Sequence, residues 1–163
     1  MAAPSQQAHL PALDHHHRDE AGRELQATLV ELIDLSLIGK QLHWNIYGRP
    51  FKPLHEHLDE LVDSWHELSD TVAERAVALG VAPDGRASTV SSDSEIGAVD
   101  AGSLDTDAAL HTLVPRVADV TERIRGRMER LGELDLASQN VLIEVVRELE
   151  KQLWMLRVSL PGA

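Results

Sequence analysis

Four long stretches of this chain repeat apolar residues at three- and four-residue steps, the spacing of one face of a helix. Glycine, proline and polar turn residues separate the stretches. They predict helices from about Glu20 to Asn45, over residues 50–80, from about Asp105 to Leu131, and from Asp135 to about residue 160. No stretch alternates apolar and polar residues as a half-buried strand would. The pattern therefore predicts an all-α chain.

The apolar stripes also predict which side chains face the core. In the first two helices these are Leu25, Leu29, Leu32, Ile33, Ser36, Leu37, Leu54, Leu58, Leu61, Val62, Trp65, Leu68, Val72, Ala76 and Leu79. In the fourth they are Leu142, Val145, Val146, Leu149, Leu153 and Leu156. Asp135 or Ser138 could cap the fourth helix. Pro115 predicts a kink, or a later start, in the third.

Residues 81–104 form a connection too long for a hairpin loop. We expect this segment to cross along the bundle, with a short helix near Ser94–Val99. Four helices with one long crossover after the second have the ferritin-like topology. Residues 1–20 have little apolar pattern and include His15, His16 and His17, which predicts a mobile tail before a bundle over residues 21–160.

Composition narrows the classes of function. The formal net charge is −12, from 15 basic and 27 acidic residues, and such a surface repels nucleic acid and attracts cations. The absence of cysteine excludes disulfides and thiolate metal sites. No apolar run reaches about 18 residues, so we expect no membrane span. The N-terminus has no basic–apolar–small signal pattern, so we expect a cytoplasmic protein.

The second predicted helix carries two pairs of metal-binding side chains. His55 and Asp59 form one pair and Asp70 and Glu74 the other, each four residues apart and therefore one turn apart on one face. At 100° per residue, all four fall within roughly a 100° sector. Imidazole nitrogen and carboxylate oxygen together suit divalent iron, manganese or zinc.

A single straight helix cannot bring both pairs to one ion. Asp59 and Asp70 lie eleven residues apart, or roughly 16 Å along the axis, whereas metal–ligand bonds measure about 2.0–2.2 Å. If the same helix of a second subunit packs antiparallel across a two-fold axis, His55 and Asp59 of one chain meet Asp70 and Glu74 of the other. His43, on the preceding helix, could complete each of the two equivalent sites.

Plainer interpretations stay open at this point. An exposed Asp-x-x-x-Glu pair is usually a solvated helix face, and a single helical histidine is usually an ordinary surface or core residue. We place His57, His66 and His111 in that ordinary class. The five residues at these offsets are harder to explain in that way.

The chain also resembles the Dps family, the DNA-binding proteins from starved cells, or miniferritins. The matching segments are His43-Trp44-Asn45-Ile46-Tyr47-Gly48-Arg49-Pro50-Phe51, Leu54-His55, Leu58-Asp59-Glu60, Asp70-Thr71-Val72-Ala73-Glu74-Arg75, Leu79-Gly80 and Leu149 to Leu156. The likeness covers about residues 22 to 158. The first of these segments is highly specific.

The resemblance implies inter-subunit ferroxidase sites in a hollow dodecamer that stores iron. By position, His43, His55 and Asp59 come from one subunit, and Asp70 and Glu74 from its two-fold partner. Trp44 would lie beside the metal. The resemblance further implies oxidation of ferrous iron, with hydrogen peroxide as oxidant, and protection of the cell and its DNA from oxidative stress. Zinc or manganese could substitute for iron in the same ligands.

This chain departs from the family pattern in its charge. Its first 22 residues hold one basic residue, Arg18, where DNA-binding members often have a lysine-rich tail. We therefore expect weak or no DNA binding at neutral pH. At the start of the fourth helix, where the family often has acids that line an iron pore, Asp135 is acidic but Asn140 is not.

Three rival functions remain from the sequence. A divalent-metal buffer would bind zinc or manganese in the same ligands without oxidising iron. A nucleoid-associated architectural protein would bind DNA, weakly and at low pH, through His9 and His15 to His17. A structural bundle would use its acids only for solubility.

Overall fold

A computed structural model of the chain describes residues 13–160 and residue 162. It contains five helices and a two-stranded bridge: α1 His15–Asn45, β1 Ile46–Tyr47, α2 Phe51–Ala78, α3 Ala87–Asp93, β2 Leu104–Asp105, α4 Thr106–Leu134 and α5 Leu136–Val158. The four long helices pack as neighbouring pairs, α1 with α2 and α4 with α5. This is the predicted four-helix bundle with a long crossover, and the fold prediction is confirmed.

The apolar stripes form one core between the four long helices. Leu25, Leu58, Trp65, Leu142 and Leu149 are almost fully buried, as predicted. Leu37 is the clear exception, because 57% of its surface is exposed while the adjacent Ser36 is buried. One residue turns a helix by about 100°. Leu37 therefore points towards a groove between α1 and the crossover rather than into the core.

The crossover contains a short helix, but not where the sequence suggested. Helix α3 spans Ala87–Asp93 instead of Ser94–Val99. Val90 is the buried residue of this short helix, and the Asp84 carboxylate accepts a hydrogen bond from the Thr89 hydroxyl at 2.9 Å. Gly97 has a φ of +80°, in the left-handed region that a continuing α-helix does not use.

Helix α4 begins at Thr106 and continues through Pro115, so the predicted later start was wrong. The Asp105 side chain caps it by accepting a hydrogen bond from the Ala108 N–H at 2.8 Å. This cap and the core contacts of Leu110 and Leu113 keep the first turns helical although Pro115 offers no N–H.

Helix α1 begins earlier than predicted. Residues 15–19, which the sequence assigned to the tail, belong to this helix, and the Asp14 side chain caps it by accepting from the His17 N–H at 2.9 Å. Residues 1–12 of the predicted tail lie outside the described residues. Within residues 13–160, no helix is long and apolar enough to cross a membrane.

Asp135 lies where α4 ends and α5 begins, and it also contacts the end of α2. It caps α5 by accepting from the Ser138 N–H at 3.0 Å, which confirms it as the predicted cap. The Arg75 guanidinium, near the end of α2, donates to the Asp135 carboxylate at 2.6 Å and to the Ser138 hydroxyl at 3.0 Å. Burial alone would raise the pKa of Asp135, but the hydrogen bonds from Ser138 and Arg75 outweigh it and hold the pKa below its ordinary value.

Replacing this carboxylate should therefore destabilise the fold in a pH-dependent way. Asp135→Ala is expected to lower the free energy of unfolding at neutral pH by roughly 1–3 kcal/mol, because a helix cap and a partly buried ion pair are lost together. A depressed pKa contributes stability above the ordinary carboxyl pKa of about 4, and this contribution disappears as pH falls through the folded-state pKa. Urea unfolding should show the difference from wild type shrinking towards acid pH.

The control is Asp14→Ala, which removes a cap at the exposed start of α1, where the part of the chain that the structure describes places His17, and not an arginine, against the carboxylate. It should cost less than Asp135→Ala. A cost for Asp135→Ala that stays constant with pH would contradict the role assigned to the ionised carboxylate.

Candidate metal centre

Three of the five residues predicted as metal ligands lie together in one chain. His43 occupies the last turn of α1, and His55 and Asp59 lie one turn apart near the start of α2. One possible ligand atom from each residue lies within 4.8 Å of the others. The short connection between the helices makes them antiparallel neighbours, which brings the end of α1 against the start of α2.

Each imidazole is hydrogen-bonded to the backbone of the other histidine. His43 Nδ1 lies 3.0 Å from the His55 carbonyl oxygen, and His55 Nδ1 lies 3.1 Å from the His43 carbonyl oxygen. Because a carbonyl oxygen can only accept, each Nδ1 carries the proton in these bonds and each Nε2 keeps a free lone pair. Metal-ligating histidines in proteins are commonly fixed in this way, with the other ring nitrogen donating to a backbone carbonyl.

Packing also fixes the two rings. Their centroids lie 3.7 Å apart in a stacked arrangement, and the Phe51 ring stacks against His55 with a centroid separation of 4.9 Å. His43 is buried and His55 is half-buried. Both ligand atoms are therefore oriented before any metal arrives, which reduces the entropy lost on binding.

Asp59 is already engaged with a cation from its own chain. The Lys40 ammonium donates a hydrogen bond to the Asp59 carboxylate, and His43 Nδ1 lies 3.4 Å from the same carboxylate oxygen. The bond from Lys40 is the main reason that the pKa of Asp59 lies below its ordinary value. Asp59 is thus an ionised oxygen donor at neutral pH, and a metal ion that binds it competes with the ammonium group.

Lys40 is the site residue that the sequence analysis missed. It precedes His43 by three residues, so both side chains lie on one face of α1. That spacing was visible in the sequence. The pairing with Asp59 on another helix depends on how α1 and α2 pack, which no local spacing reveals.

The other two predicted ligands lie elsewhere on α2. Asp70 and Glu74 are both exposed, and neither belongs to the cluster of His43, His55 and Asp59. The continuous helix Phe51–Ala78 separates them from that cluster, as the helix arithmetic requires. One chain therefore presents three candidate ligands at one place and two at another.

The other histidines within residues 13–160 do not join this centre. Among the described residues, His57 lies 3.4 Å from a Glu60 carboxylate oxygen, while His66 and His111 are exposed. Trp44 follows His43 directly but 70% of its surface is exposed in the single chain.

Comparison with known proteins identifies the family. The family model described as "Ferritin-like domain" matches residues 23–160. The DNA protection during starvation protein of Mycolicibacterium smegmatis is 33% identical over 154 residues, which cover 94% of this chain and 84% of that protein. The chain belongs to the Dps family of ferritin-like proteins.

Solved structures agree with this assignment. Mycobacterium smegmatis Dps in a tetragonal crystal form superposes with a TM-score of 0.91 at 32% identity, covering all of this chain and 96% of that one. Dps92 from Deinococcus radiodurans gives a TM-score of 0.87 at 32% identity, covering 91% of this chain and 90% of that one.

Coverage differs between the Dps relatives. DNA protection during starvation protein 2 of Deinococcus radiodurans is 33% identical over 151 residues, and the match spans 93% of this chain but only 63% of that relative's length. This Dps chain therefore shares the ferritin-like unit with a relative that is longer.

Proposed function

We propose that this Dps protein oxidises ferrous iron at sites shared between two subunits and stores the ferric product in a hollow oligomer. Each site would combine His43, His55 and Asp59 of one subunit with Asp70 and Glu74 of its two-fold partner. The observation that carries the proposal is that the candidate ligands occur in two separate groups. Three oriented donors lie at one end of α2, and two exposed carboxylates lie further along the same helix. Membership of the ferritin-like family supports an iron-handling role in general.

The surface around the three-residue cluster favours burial against another subunit. Leu37, Trp44, Tyr47 and Phe51 all lie on α1, on the loop after it or at the start of α2, and between 43% and 70% of each is exposed in the single chain. Large apolar side chains that lie exposed close together commonly mark interaction surfaces. A two-fold contact here would cover them and bring a partner's carboxylates to the imidazoles. We propose a homo-dodecamer built on such dimers.

The donor set suits oxidation of iron as a substrate. The imidazole Nε2 atoms bind ferrous iron, and the hard carboxylate oxygens stabilise the ferric product and can bridge two ions. With hydrogen peroxide, two ferrous ions each give one electron, the O–O bond breaks, and two protons complete two water molecules. This two-electron step releases no hydroxyl radical, which would protect the cell and its DNA from oxidative stress.

The negative net charge of the chain argues against tight direct binding of DNA. A chain with a formal charge of −12 gives about −144 for a dodecamer, and such a particle repels a polyanion at neutral pH. We propose weak or absent DNA binding at neutral pH and a cytoplasmic location, so that protection acts through iron and peroxide.

Anaerobic loading with ferrous iron followed by a peroxide pulse tests this function. We expect rapid growth of ferric absorbance with about one peroxide consumed per two ferrous ions, the ratio that the two-electron step requires. Dioxygen at equal concentration should oxidise more slowly, and preloading with Zn²⁺ should inhibit by occupying the same ligands. Oxidation no faster than in buffer, with tight binding of Zn²⁺, would favour the metal-buffer function instead.

A further inference from the structure

The loop between the two imidazoles is held by a distant part of the chain. Strand β1, directly after the α1 turn that carries His43, pairs in parallel with β2 at the end of the crossover, with Ile46 opposite Leu104 and Tyr47 opposite Asp105. Immediately after this bridge, the Thr106 hydroxyl donates to the carbonyl oxygen of Arg49 at 2.8 Å. The segment that connects α1 to α2 is therefore fastened to the start of α4.

Thr106 is an unusual threonine within its helix. It is 2% exposed, and its hydroxyl donates to a loop carbonyl 57 residues away in sequence. The hydroxyls of Thr112 and Thr121, in the same helix, donate instead to carbonyls four residues earlier in α4, at 2.8 and 2.6 Å. Loss of the Thr106 hydroxyl would remove a contact between elements, whereas loss of the other two would change only bonds within α4.

The metal centre is sensitive to the position of this loop. Each imidazole is bonded to the backbone of the other histidine, so the end of α1 and the start of α2 must keep their separation for both bonds to survive. The loop that sets this separation includes Gly48, whose φ is +101°, a conformation that glycine adopts without strain. Within the loop, the Phe51 N–H donates to the Gly48 carbonyl oxygen at 3.2 Å, while the β1–β2 bridge and the Thr106 hydroxyl join the loop to the start of α4.

We propose that Thr106, together with the β1–β2 bridge, positions the two histidines of the metal centre by fixing residues 46–50. The Thr106 hydroxyl bonds to the Arg49 carbonyl oxygen rather than to a metal ligand, so Thr106 is a positioning residue. The inference rests on the proposed function, because it assigns Thr106 a part in metal binding at the same site.

The test compares variants of the assembled protein with Co²⁺ as a spectroscopic probe. Thr106→Val keeps the shape of the side chain and removes the hydroxyl, Thr106→Ala removes it with less bulk, and Thr106→Ser retains it. Thr121→Val is the matched control, because it removes a buried hydroxyl from the same helix. Two readouts are needed: Co²⁺ affinity from absorbance titration, and hydrogen exchange of the 46–50 segment in the metal-free protein.

We expect Thr106→Val and Thr106→Ala to weaken Co²⁺ binding about tenfold, the scale seen when groups that orient metal ligands are removed. Exchange in residues 46–50 should be faster in both variants, while Thr106→Ser and Thr121→Val keep wild-type affinity and exchange. Wild-type affinity and exchange in Thr106→Val, beside a wild type that binds Co²⁺, would overturn this inference alone. A wild type that binds no Co²⁺ would overturn the proposed function itself.

Discussion

Replacing Asp70 and Glu74 together with Asn and Gln is expected to slow peroxide-driven iron oxidation at least roughly a hundredfold while leaving the fold intact. The two carboxylates are the ligands assigned to the partner subunit, and changes even to groups that only orient metal ligands cost about 10–100-fold. Both side chains are exposed on α2 in the single chain, so their loss removes no core contact. Stopped-flow ferric absorbance and the thermal unfolding midpoint measure the two halves of this prediction.

The chain supplies a closely matched control for this variant. Asp63 and Glu67 form a second Asp-x-x-x-Glu pair on the exposed surface of the same helix. Asp63→Asn/Glu67→Gln removes the same charge with the same spacing, and it should oxidise iron at the wild-type rate. Equal losses in the two double variants would show that general negative charge, rather than a defined ligand pair, drives the reaction.

The largest loss of stability is expected at Glu31. This carboxylate is 1% exposed, on α1, and accepts hydrogen bonds from Arg123 and Arg127 of α4. Glu31→Ala would leave two guanidinium groups partly buried without their counter-charge, and breaking a buried pair in this way costs about 3–5 kcal/mol. Chemical denaturation at fixed protein concentration gives the change in free energy of unfolding.

Glu24 provides the comparison for Glu31. It joins the same two helices through Arg130, with N–O distances of 2.7 and 2.9 Å, but that arginine is mostly exposed. Glu24→Ala should cost at most about 1 kcal/mol, as is usual for solvent-exposed ion pairs. Similar costs for Glu24→Ala and Glu31→Ala would contradict the claim that burial makes the Glu31 ion pairs the more important of the two.

Much of the fold could be predicted because local patterns and tertiary packing agree. The three- and four-residue apolar spacing located the four long helices, and the helix offset alone showed that Asp59 and Asp70 cannot reach one ion. The structure brings His43 to His55 and Asp59 because a short loop makes α1 and α2 antiparallel. The assignment of Asp70 and Glu74 to a partner remains a prediction.

The features that the sequence did not predict depend on contacts between residues that are distant in the chain. No local signal in the sequence indicated that Val90 would anchor α3, that Leu37 would face a groove, or that Lys40 would pair with Asp59. Asp135 was predicted as a helix cap from its position, but its bonds to Arg75 depend on the meeting of α2 and α5. Propensity and periodicity describe one element at a time, and these features arise where elements meet.

The central claim is that each oxidation site takes ligands from two chains, and subunit mixing tests it most directly. One variant, His43→Ala/Asp59→Asn, lacks the first group of ligands, and the other, Asp70→Asn/Glu74→Gln, lacks the second. Each should assemble and be inactive alone. In a dimer that contains one copy of each, one of the two sites regains all five ligands.

Co-expression of the two variants with different affinity tags, followed by purification on both tags, yields the mixed assemblies. With random pairing, half of the dimers are mixed, and we expect iron oxidation to recover to about a quarter of the wild-type rate per chain. Mixed assemblies that remain as inactive as either variant alone, beside an active wild type, would contradict a site shared between subunits.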